Sequence, residues 1–293
     1  VHAYTQTIAR TLAGLVWLRR GQLDRALPLL QKSLDACREK NLDVWRPIPS
    51  SLLGLTCVLL GRMDEGLRLL EDGVGLTEAL GLRAYLALWT THLGEGLLAA
   101  GQPERARATT QRALELAQLH KERGHQAWAL RLRADIAARA GAAATEEAVD
   151  AYHQALSLGE ELGMRPLVAR SHLGLGQLHA RAGRSGEAEE HLSEALRVFL
   201  LMDVRFWAAR AAEGLMGLGH LFIVARHNVQ LFEYLKKEFA GEPVTVILDR
   251  RQSERRQRDD GPGAEERRRG ERRRHEEIQK VLRARGFVIA PDS

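Results

Sequence analysis

Small and large apolar residues recur along the chain in an order that repeats about every forty residues. The clearest copy spans residues 171–196, where Gly176 lies inside a first helical pattern, Gly183 lies at a turn and Ala188 lies in a second helical pattern. The corresponding turn glycines are Gly21, Gly61, Gly101, Gly141 and Gly183, at intervals of 40, 40, 40 and 42 residues. A fixed period of this length predicts a solenoid of helix pairs.

The small residues follow from the geometry of packed helices. Helix axes separated by roughly 8–10 Å leave no space for large side chains where two helices are closest. A glycine at the turn can adopt the positive φ of a helix C-cap without a Cβ penalty. Large apolar residues at intervals of three and four form a stripe, as at Leu23, Leu27, Leu30 and Leu34. One helix pair cannot bury that stripe alone, so neighbouring pairs must stack.

The pattern therefore predicts an all-α solenoid of about five repeats over residues 1–217. The first repeat spans about 3–40, the next four end near residues 80, 120, 162 and 202, and a closing helix covers 206–217. Pro47 and Pro49 are expected at the start of a helix, because proline fits a first turn and disrupts a helix interior.

This order of small residue, turn glycine and alanine resembles the tetratricopeptide repeat. The repeats here are about six residues longer than the usual ~34, and repeats of that length resemble those of bacterial signalling ATPases and maltose-regulator-type transcription activators. Residues 124–215 are similar to the C-terminal repeats of multidomain adenylate/guanylate cyclase–ATPase proteins. In that family the cyclase and ATPase modules lie upstream, so the resemblance implies a regulatory region and not cyclase activity.

Two positions on the first helix of each repeat are predicted to face the concave side of the stack. They are Leu15, Arg19, Leu55, Leu59, Glu95, Leu98, Asp135, Arg139, Gln177 and Arg181. The face is expected to change from apolar in the first two repeats to charged in the last two. One interpretation is an extended groove for a partner peptide or domain. The alternative is that some of the leucines pack against the next repeat.

A different pattern begins near residue 218 and predicts a small α/β unit over 218–293. Short apolar runs predict strands at 220–225, 242–249 and 287–290, and amphipathic runs predict helices at 228–239 and 276–286. We expect the strands to be parallel, as right-handed crossover connections favour.

An arginine-rich insertion at 250–275 interrupts this unit and is expected to be flexible. The run Asp249-Arg250-Arg251-x-x-Glu254-Arg255-Arg256 returns 17 residues later, beginning at Glu266. Three interpretations stay open: a solvated arm with local ion pairs, an arm that binds an anionic partner such as nucleic acid through arginine forks, and a contact between copies. The candidate anion-binding residues are Arg250, Arg251, Arg255, Arg256, Arg267, Arg268, Arg272 and Arg273.

Composition and motifs predict no enzyme in this sequence. The formal net charge is +5, and 14 basic against 9 acidic residues lie within 249–285, so the rest of the chain carries no net charge. No GxxxxGK[ST], HExxH or GxSxG motif is present, and we expect no catalytic, cofactor or metal site. Cys37 and Cys57 are expected to be buried thiols in a reducing, cytoplasmic protein. Val1 already lies in a helical pattern, which suggests a fragment.

These features together predict a protein–protein interaction scaffold in the regulatory region of a bacterial signalling or transcription-regulating protein. The partner is expected to be a protein or peptide in the groove, with no membrane association. One alternative is binding of an anionic ligand or nucleic acid by the arginine-rich segment. Another is that the chain is a non-catalytic fragment of a multidomain cyclase or ATPase.

Overall fold

The computed structural model describes residues 3–141, 145–217, 220–224, 229, 232–233, 236, 246–248 and 287–291. Contacts between Cα atoms divide the chain into two compact units, Val1–Ala212 and Glu213–Ser293, which are treated separately below. The boundary after residue 217 that the sequence pattern predicts stays a prediction.

Eleven helices follow one another through the described residues of the first unit and its end, which confirms the predicted helical solenoid. They are α1 (Ala3–Arg19), α2 (Leu23–Glu39), α3 (Pro47–Leu59), α4 (Met63–Ala79), α5 (Leu86–Ala99), α6 (Pro103–Leu119), α7 (Arg123–Ala137), α8 (Thr145–Glu161), α9 (Arg165–Arg181), α10 (Ser185–Leu201) and α11 (Arg205–Met216). Helix α3 begins at Pro47, as the proline rule predicts.

Each turn inside a repeat contains the predicted glycine in the left-handed region. These residues are Gly21, Gly61, Gly101, Gly141 and Gly183, with φ between 71° and 97°. At Gly21 the amide of the following Gln22 donates to the carbonyl of Trp17 over 2.9 Å, which is the hydrogen bond of a Schellman helix end. Glycine is favoured at this position because it has no Cβ to clash at positive φ.

A second set of left-handed residues lies at the turns that join one repeat to the next. These are Asn41, Gly81, Lys121, Gly163 and Asp203, with φ between 51° and 65°. Three of the five are not glycine, so a search for turn glycines does not reveal this second period. The same Schellman bond forms here, for example from the Glu122 amide to the Ala117 carbonyl over 2.8 Å.

The helices of each pair pack closely at the small residues. A Cβ added to Gly14 would lie 2.6 Å from Leu30 Cγ, and one added to Gly176 would lie 2.5 Å from Leu192 Cγ. At Gly54 the added atom would lie 2.9 Å from the carbonyl oxygen of another residue, Gly66. Small residues are therefore required at these contacts because a larger side chain would push the two helices apart.

The first helix of each repeat also contacts the first helix of the next, along the series α1, α3, α5, α7 and α9. These five are called the inner helices below. The second helices α2, α4, α6 and α8 each pack against the inner helices on either side of them in sequence, and α10 packs against α9. The first turn of the solenoid also meets its last helix. Arg20 Nη2 lies 2.6 Å from Asp203 Oδ2, and Gly21 lies against Phe206 of α11.

The second unit contains a three-stranded sheet formed by β1 (His220–Val224), β2 (Val246–Leu248) and β3 (Phe287–Pro291) in the order β2-β1-β3. Strands β1 and β2 are parallel. Strand β3 is antiparallel to β1, so the expectation that all strands are parallel is wrong for β3. The predicted helix at 276–286 and the arginine-rich insertion lie outside the described residues.

Candidate functional site: an arginine-lined cavity on the inner helices

Four of the inner helices, α3, α5, α7 and α9, line a cavity of about 410 Å³, together with Gly61, Met63, Tyr152 of α8 and residues of α11. Its apolar lining comes mainly from α3 and α5 and includes Leu55, Val58, Leu59 and Leu98. Its charged lining consists of Glu95, Arg131, Asp135, Arg139, Arg170, Arg181 and Arg210. Because five of these seven side chains are arginines, the space is called the arginine cavity below.

Eight of the ten residues predicted to face a groove line the arginine cavity. They are Leu55, Leu59, Glu95, Leu98, Asp135, Arg139, Gln177 and Arg181. Arg19 lines a second cavity of about 30 Å³ that shares Leu55, Glu95 and Arg170 with the first. Leu15 lines neither cavity and packs, partly buried, against the hydrophobic core. A binding role for these ten positions stays a prediction, and the eight candidate arginines between 250 and 273 lie outside the described residues.

The sequence pattern suggests an extended groove, whereas the inner face is closed at one edge. The ion pair between Arg20 and Asp203, and the contact of Gly21 with Phe206, bring the first turn against α11. Sequence periodicity does not indicate this closure, because it depends on how far the stack has turned after five repeats.

Arg131 lies at the centre of the charged lining and is buried, with a side chain 1% exposed. Its guanidinium donates hydrogen bonds to Glu95 of α5 and to Asp135 of its own helix. The hydroxyl of Tyr152 donates to the other oxygen of Asp135. Burial opposes the charge on Arg131, but Asp135 and Glu95 outweigh it and raise its pKa. This network fixes the positions of two carboxylates and one arginine.

Two tryptophans hold further arginines by cation–π contacts. The guanidinium of Arg19 lies 4.8 Å from the ring centre of Trp128, and that of Arg170 lies 3.8 Å from the ring centre of Trp207. Arg210 lies 5.2 Å from the same Trp207 ring. Such contacts favour a charged side chain in a partly dehydrated place, and they orient it without a carboxylate.

Sequence reasoning missed Arg131 and Arg170 because it predicted only two concave positions per repeat, and it missed Arg210 because it predicted none in the closing helix. A signal was nevertheless present at Arg131. Residues 40, 80 and 120 positions earlier are small and polar (Thr91, Ser51 and Thr11), so a long cation replaces them in the fourth repeat. An arginine directly between two leucines, Leu130 and Leu132, with Asp135 four residues later on the same helix face, is a candidate for a buried ion pair.

A histidine cluster, His172, His179 and His191, lies between α9 and α10. Nδ1 of His172 is 2.9 Å from Nδ1 of His191, and the rings of His179 and His191 are stacked with centres 5.5 Å apart. Burial lowers the pKa of all three. Repulsion from His172 and His179 lowers the pKa of His191 further, to about 4, with a small additional effect of His153 and an opposing one of Glu190.

Both cysteines are buried free thiols, as predicted, and burial raises the pKa of Cys37 to about 11. Within the part of the chain that the structure describes, no group of His, Cys, Asp or Glu side chains is arranged to hold a metal ion. Across those same residues, none of the helices combines the length and the apolar character that a membrane span requires.

The fold and its inner cavity define the class of helical-repeat scaffolds. Family models for the tetratricopeptide repeat match residues 125–200, and also residues 8–32 and 90–112. The chain therefore contains tetratricopeptide repeats, and the family resemblance is confirmed. No curated protein matches the chain in sequence.

Solved structures with a similar arrangement of helices include a signal transduction ATPase with numerous domains (STAND) protein with a tetratricopeptide repeat sensor, from Pyrococcus horikoshii. It is 15% identical with a TM-score of 0.52, and the match covers 79% of this chain and 35% of that protein. BtubC from P. vanneervenii is 16% identical over 69% of this chain and 93% of its own, with a TM-score of 0.48. The quorum sensor NprR from B. thuringiensis is 14% identical over 81% and 66%, with a TM-score of 0.45. At these identities the likeness concerns the fold alone.

Proposed function

We propose that the chain is an interaction scaffold that binds a protein or peptide segment on its inner face. The observation that carries this proposal is the arginine cavity, which combines apolar leucines from α3 and α5 with charged groups from α7, α9 and α11. Stacked helices form such a surface before binding, so less ordering entropy opposes association with a partner. Tetratricopeptide repeats generally bind proteins or peptides, which supports the assignment.

The scaffold is best placed in the regulatory region of a bacterial signalling or transcription-regulating protein, without catalysis of its own and in the cytoplasm. Residues 124–215 resemble the terminal repeats of cyclase–ATPase proteins, and the STAND protein with a similar fold is named for its tetratricopeptide repeat sensor. This chain spans 35% of that protein. The proposal that it is the non-catalytic part of a larger protein rests on these likenesses and on the missing catalytic motifs.

A test needs a variant that alters the inner face and leaves the fold intact. Asp135 is unsuitable because it accepts hydrogen bonds from both Arg131 and Tyr152. Arg139 and Arg181 are exposed, and their guanidinium groups donate only to the carbonyls of Leu98 and Ala138 among the described residues. The double substitution Arg139→Gln and Arg181→Gln therefore removes two cavity charges with little effect on the core.

The experiment is selection of a displayed random-peptide library on the full chain, followed by affinity measurement with the variants. The matched control is Arg105→Gln with Arg112→Gln, two exposed arginines of α6 that pair with Glu71 and Glu78. Selected peptides should lose affinity for the cavity variant and keep it for the control. Equal affinity for both variants, or no enrichment of any peptide, would contradict the proposal.

The doubled run of carboxylates and arginines that begins at Asp249 and returns at Glu266 favours a second candidate function. It is binding of an anionic partner, including nucleic acid, by the arginine-rich segment. Deleting residues 249–274 and titrating binding of a DNA duplex against salt tests it. Binding that falls steeply with salt and disappears in the deletion supports this function, whereas binding that survives the deletion excludes it.

A further inference from the structure

The arginine cavity contains more positive charge than its own carboxylates can balance. Five arginines and two carboxylates line it, which leaves a formal excess of three positive charges. Both carboxylates, Glu95 and Asp135, hydrogen-bond to Arg131. Among the other cavity arginines, within the described residues, only Arg170 comes close to a carboxylate: its Nη2 lies 3.9 Å from Glu95 Oε1. Most of the excess therefore has no acidic partner.

The remaining arginines are held by neutral groups that leave donor atoms available. Arg139 and Arg181 each donate to one backbone carbonyl, over 3.1 and 3.3 Å. Arg170 and Arg210 lie over the ring of Trp207. A guanidinium has five N–H donors, so each of these groups can still donate to a ligand. The described part of the chain also offers no hydrogen-bond partner for Nε of the buried Arg131.

Burial makes part of this excess unfavourable, namely the charge of Arg170. It lowers the pKa of Arg170 to about 10, and repulsion from Arg131 acts in the same direction. Burial also lowers the pKa of Arg19, beside the cavity. Positive groups that line one cavity repel one another, and a bound anion would reduce that repulsion.

We propose that the arginine cavity is a binding site for a small phosphate-bearing anion, of the class of a nucleoside diphosphate or an inorganic diphosphate. One carboxylate would neutralise a single charge, whereas one phosphate group carries about −1.5 to −2 at neutral pH and presents three acceptor oxygens. Two linked phosphates match the excess of three more closely than one carboxylate does. The volume of about 410 Å³ also falls in the range of roughly 300–1,000 Å³ that small-molecule sites occupy.

This site goes beyond the proposed peptide-binding function, because its ligand is a small molecule. That ligand would occupy the same inner face that a partner peptide uses. Arg210 is the most informative position. Its side chain is exposed and lies on the last helix of the cavity, so its loss removes a donor without leaving a buried carboxylate unpaired. Arg105 of α6, which is exposed and outside the cavity lining, gives the matched control with the same change of net charge.

The experiment is isothermal titration of the full chain with inorganic pyrophosphate and, separately, with ADP, together with the thermal unfolding midpoint in millimolar amounts of each. Both probes should bind and raise the midpoint, and Arg210→Gln should weaken binding about tenfold, as expected for loss of a charge-assisted hydrogen bond. Arg210→Lys, which keeps the charge, should recover part of the affinity, and Arg105→Gln should bind like the unmodified chain. Tighter binding of ADP than of pyrophosphate would identify a nucleotide as the source of the phosphate.

Two results would overturn the proposal. One is the absence of heat and of any midpoint shift with both probes. The other is an equal loss of affinity in Arg210→Gln and Arg105→Gln, which would show a general charge effect and no site. If a short acidic peptide binds at the cavity and pyrophosphate does not, the phosphate ligand is refuted while the peptide-binding function stands.

Discussion

Replacing Gly54 with alanine adds one methyl group where α3 and α4 are closest. The new Cβ would lie 2.9 Å from the carbonyl oxygen of Gly66, 3.0 Å from the backbone nitrogen of Leu70 and 2.8 Å from its Cγ. Two of these three atoms belong to the backbone, so a side-chain rotation cannot relieve the contact. The helices must separate locally, and the substitution is expected to destabilise the fold.

The magnitude follows from two opposing effects. Overpacking of a close contact costs about 1–3 kcal/mol, and alanine gains about 1 kcal/mol over glycine in a helix interior. The net loss of stability for Gly54→Ala is therefore about 0–2 kcal/mol. Gly75, in α4 of the same repeat, is exposed and would place a Cβ with no heavy atom within 4 Å. Gly75→Ala has only the favourable effect and should stabilise by about 0.5–1 kcal/mol.

The assay is the free energy of unfolding in urea, followed by circular dichroism of the full chain. Because both substitutions change the same residue type in the same repeat, the difference between them isolates the packing contribution. The reasoning is refuted if Gly54→Ala stabilises the protein as much as Gly75→Ala does. That result would mean that the helices are not in contact at Gly54.

Three other predictions concern turns, titration and the buried ion pair. Lys121→Gly should stabilise the fold by about 1 kcal/mol in the same urea assay, because φ is 58° at this residue and glycine removes the Cβ penalty. A loss of stability would contradict the left-handed turn. The lowered pKa of His191 contributes stability that is fully present above pH 6.5 and is lost as the pH falls towards about 4. His191→Asn should therefore make the thermal unfolding midpoint depend less steeply on pH in this range. An unchanged pH dependence would contradict the histidine cluster as its source. Arg131→Met removes the shared hydrogen-bond donor of Glu95 and Asp135 and should lower the free energy of unfolding by about 2–4 kcal/mol. An unchanged free energy of unfolding would contradict the buried network.

The hydrophobic pattern was sufficient to predict the helix pairs and their turns. Gly21 and its four equivalents provided the period, because few residue types tolerate positive φ and the chain uses glycine at each of these turns. The repeat ends near residues 40, 80, 120, 162 and 202 were predicted, but their left-handed conformation was not, because Asn41, Lys121 and Asp203 adopt it without being glycine. Positive φ is a property of the backbone, and the sequence shows it only where glycine marks it.

The cavity could be predicted only in part. The forty-residue register of the repeats predicted that Glu95, Asp135 and Arg181 share the concave face, and all three line the cavity. The contact of the first turn with α11 depends on the small rotation between successive repeats, summed over the stack, and no local pattern encodes that sum. Arg170 of α9 and Arg210 of α11 both lie over the ring of Trp207 in α11. The repeat period does not reveal this contact between α9 and α11.

Site-specific photo-crosslinking most directly tests the claim that the inner face binds a partner. A photoreactive phenylalanine derivative is placed at Gln177, which lines the arginine cavity, or at Glu115, which is exposed on α6. Each protein is then irradiated with the peptides selected on the full chain. Adducts at position 177 and none at 115 are predicted. Adducts at 115, or equal yields at both positions, would contradict binding on the inner face.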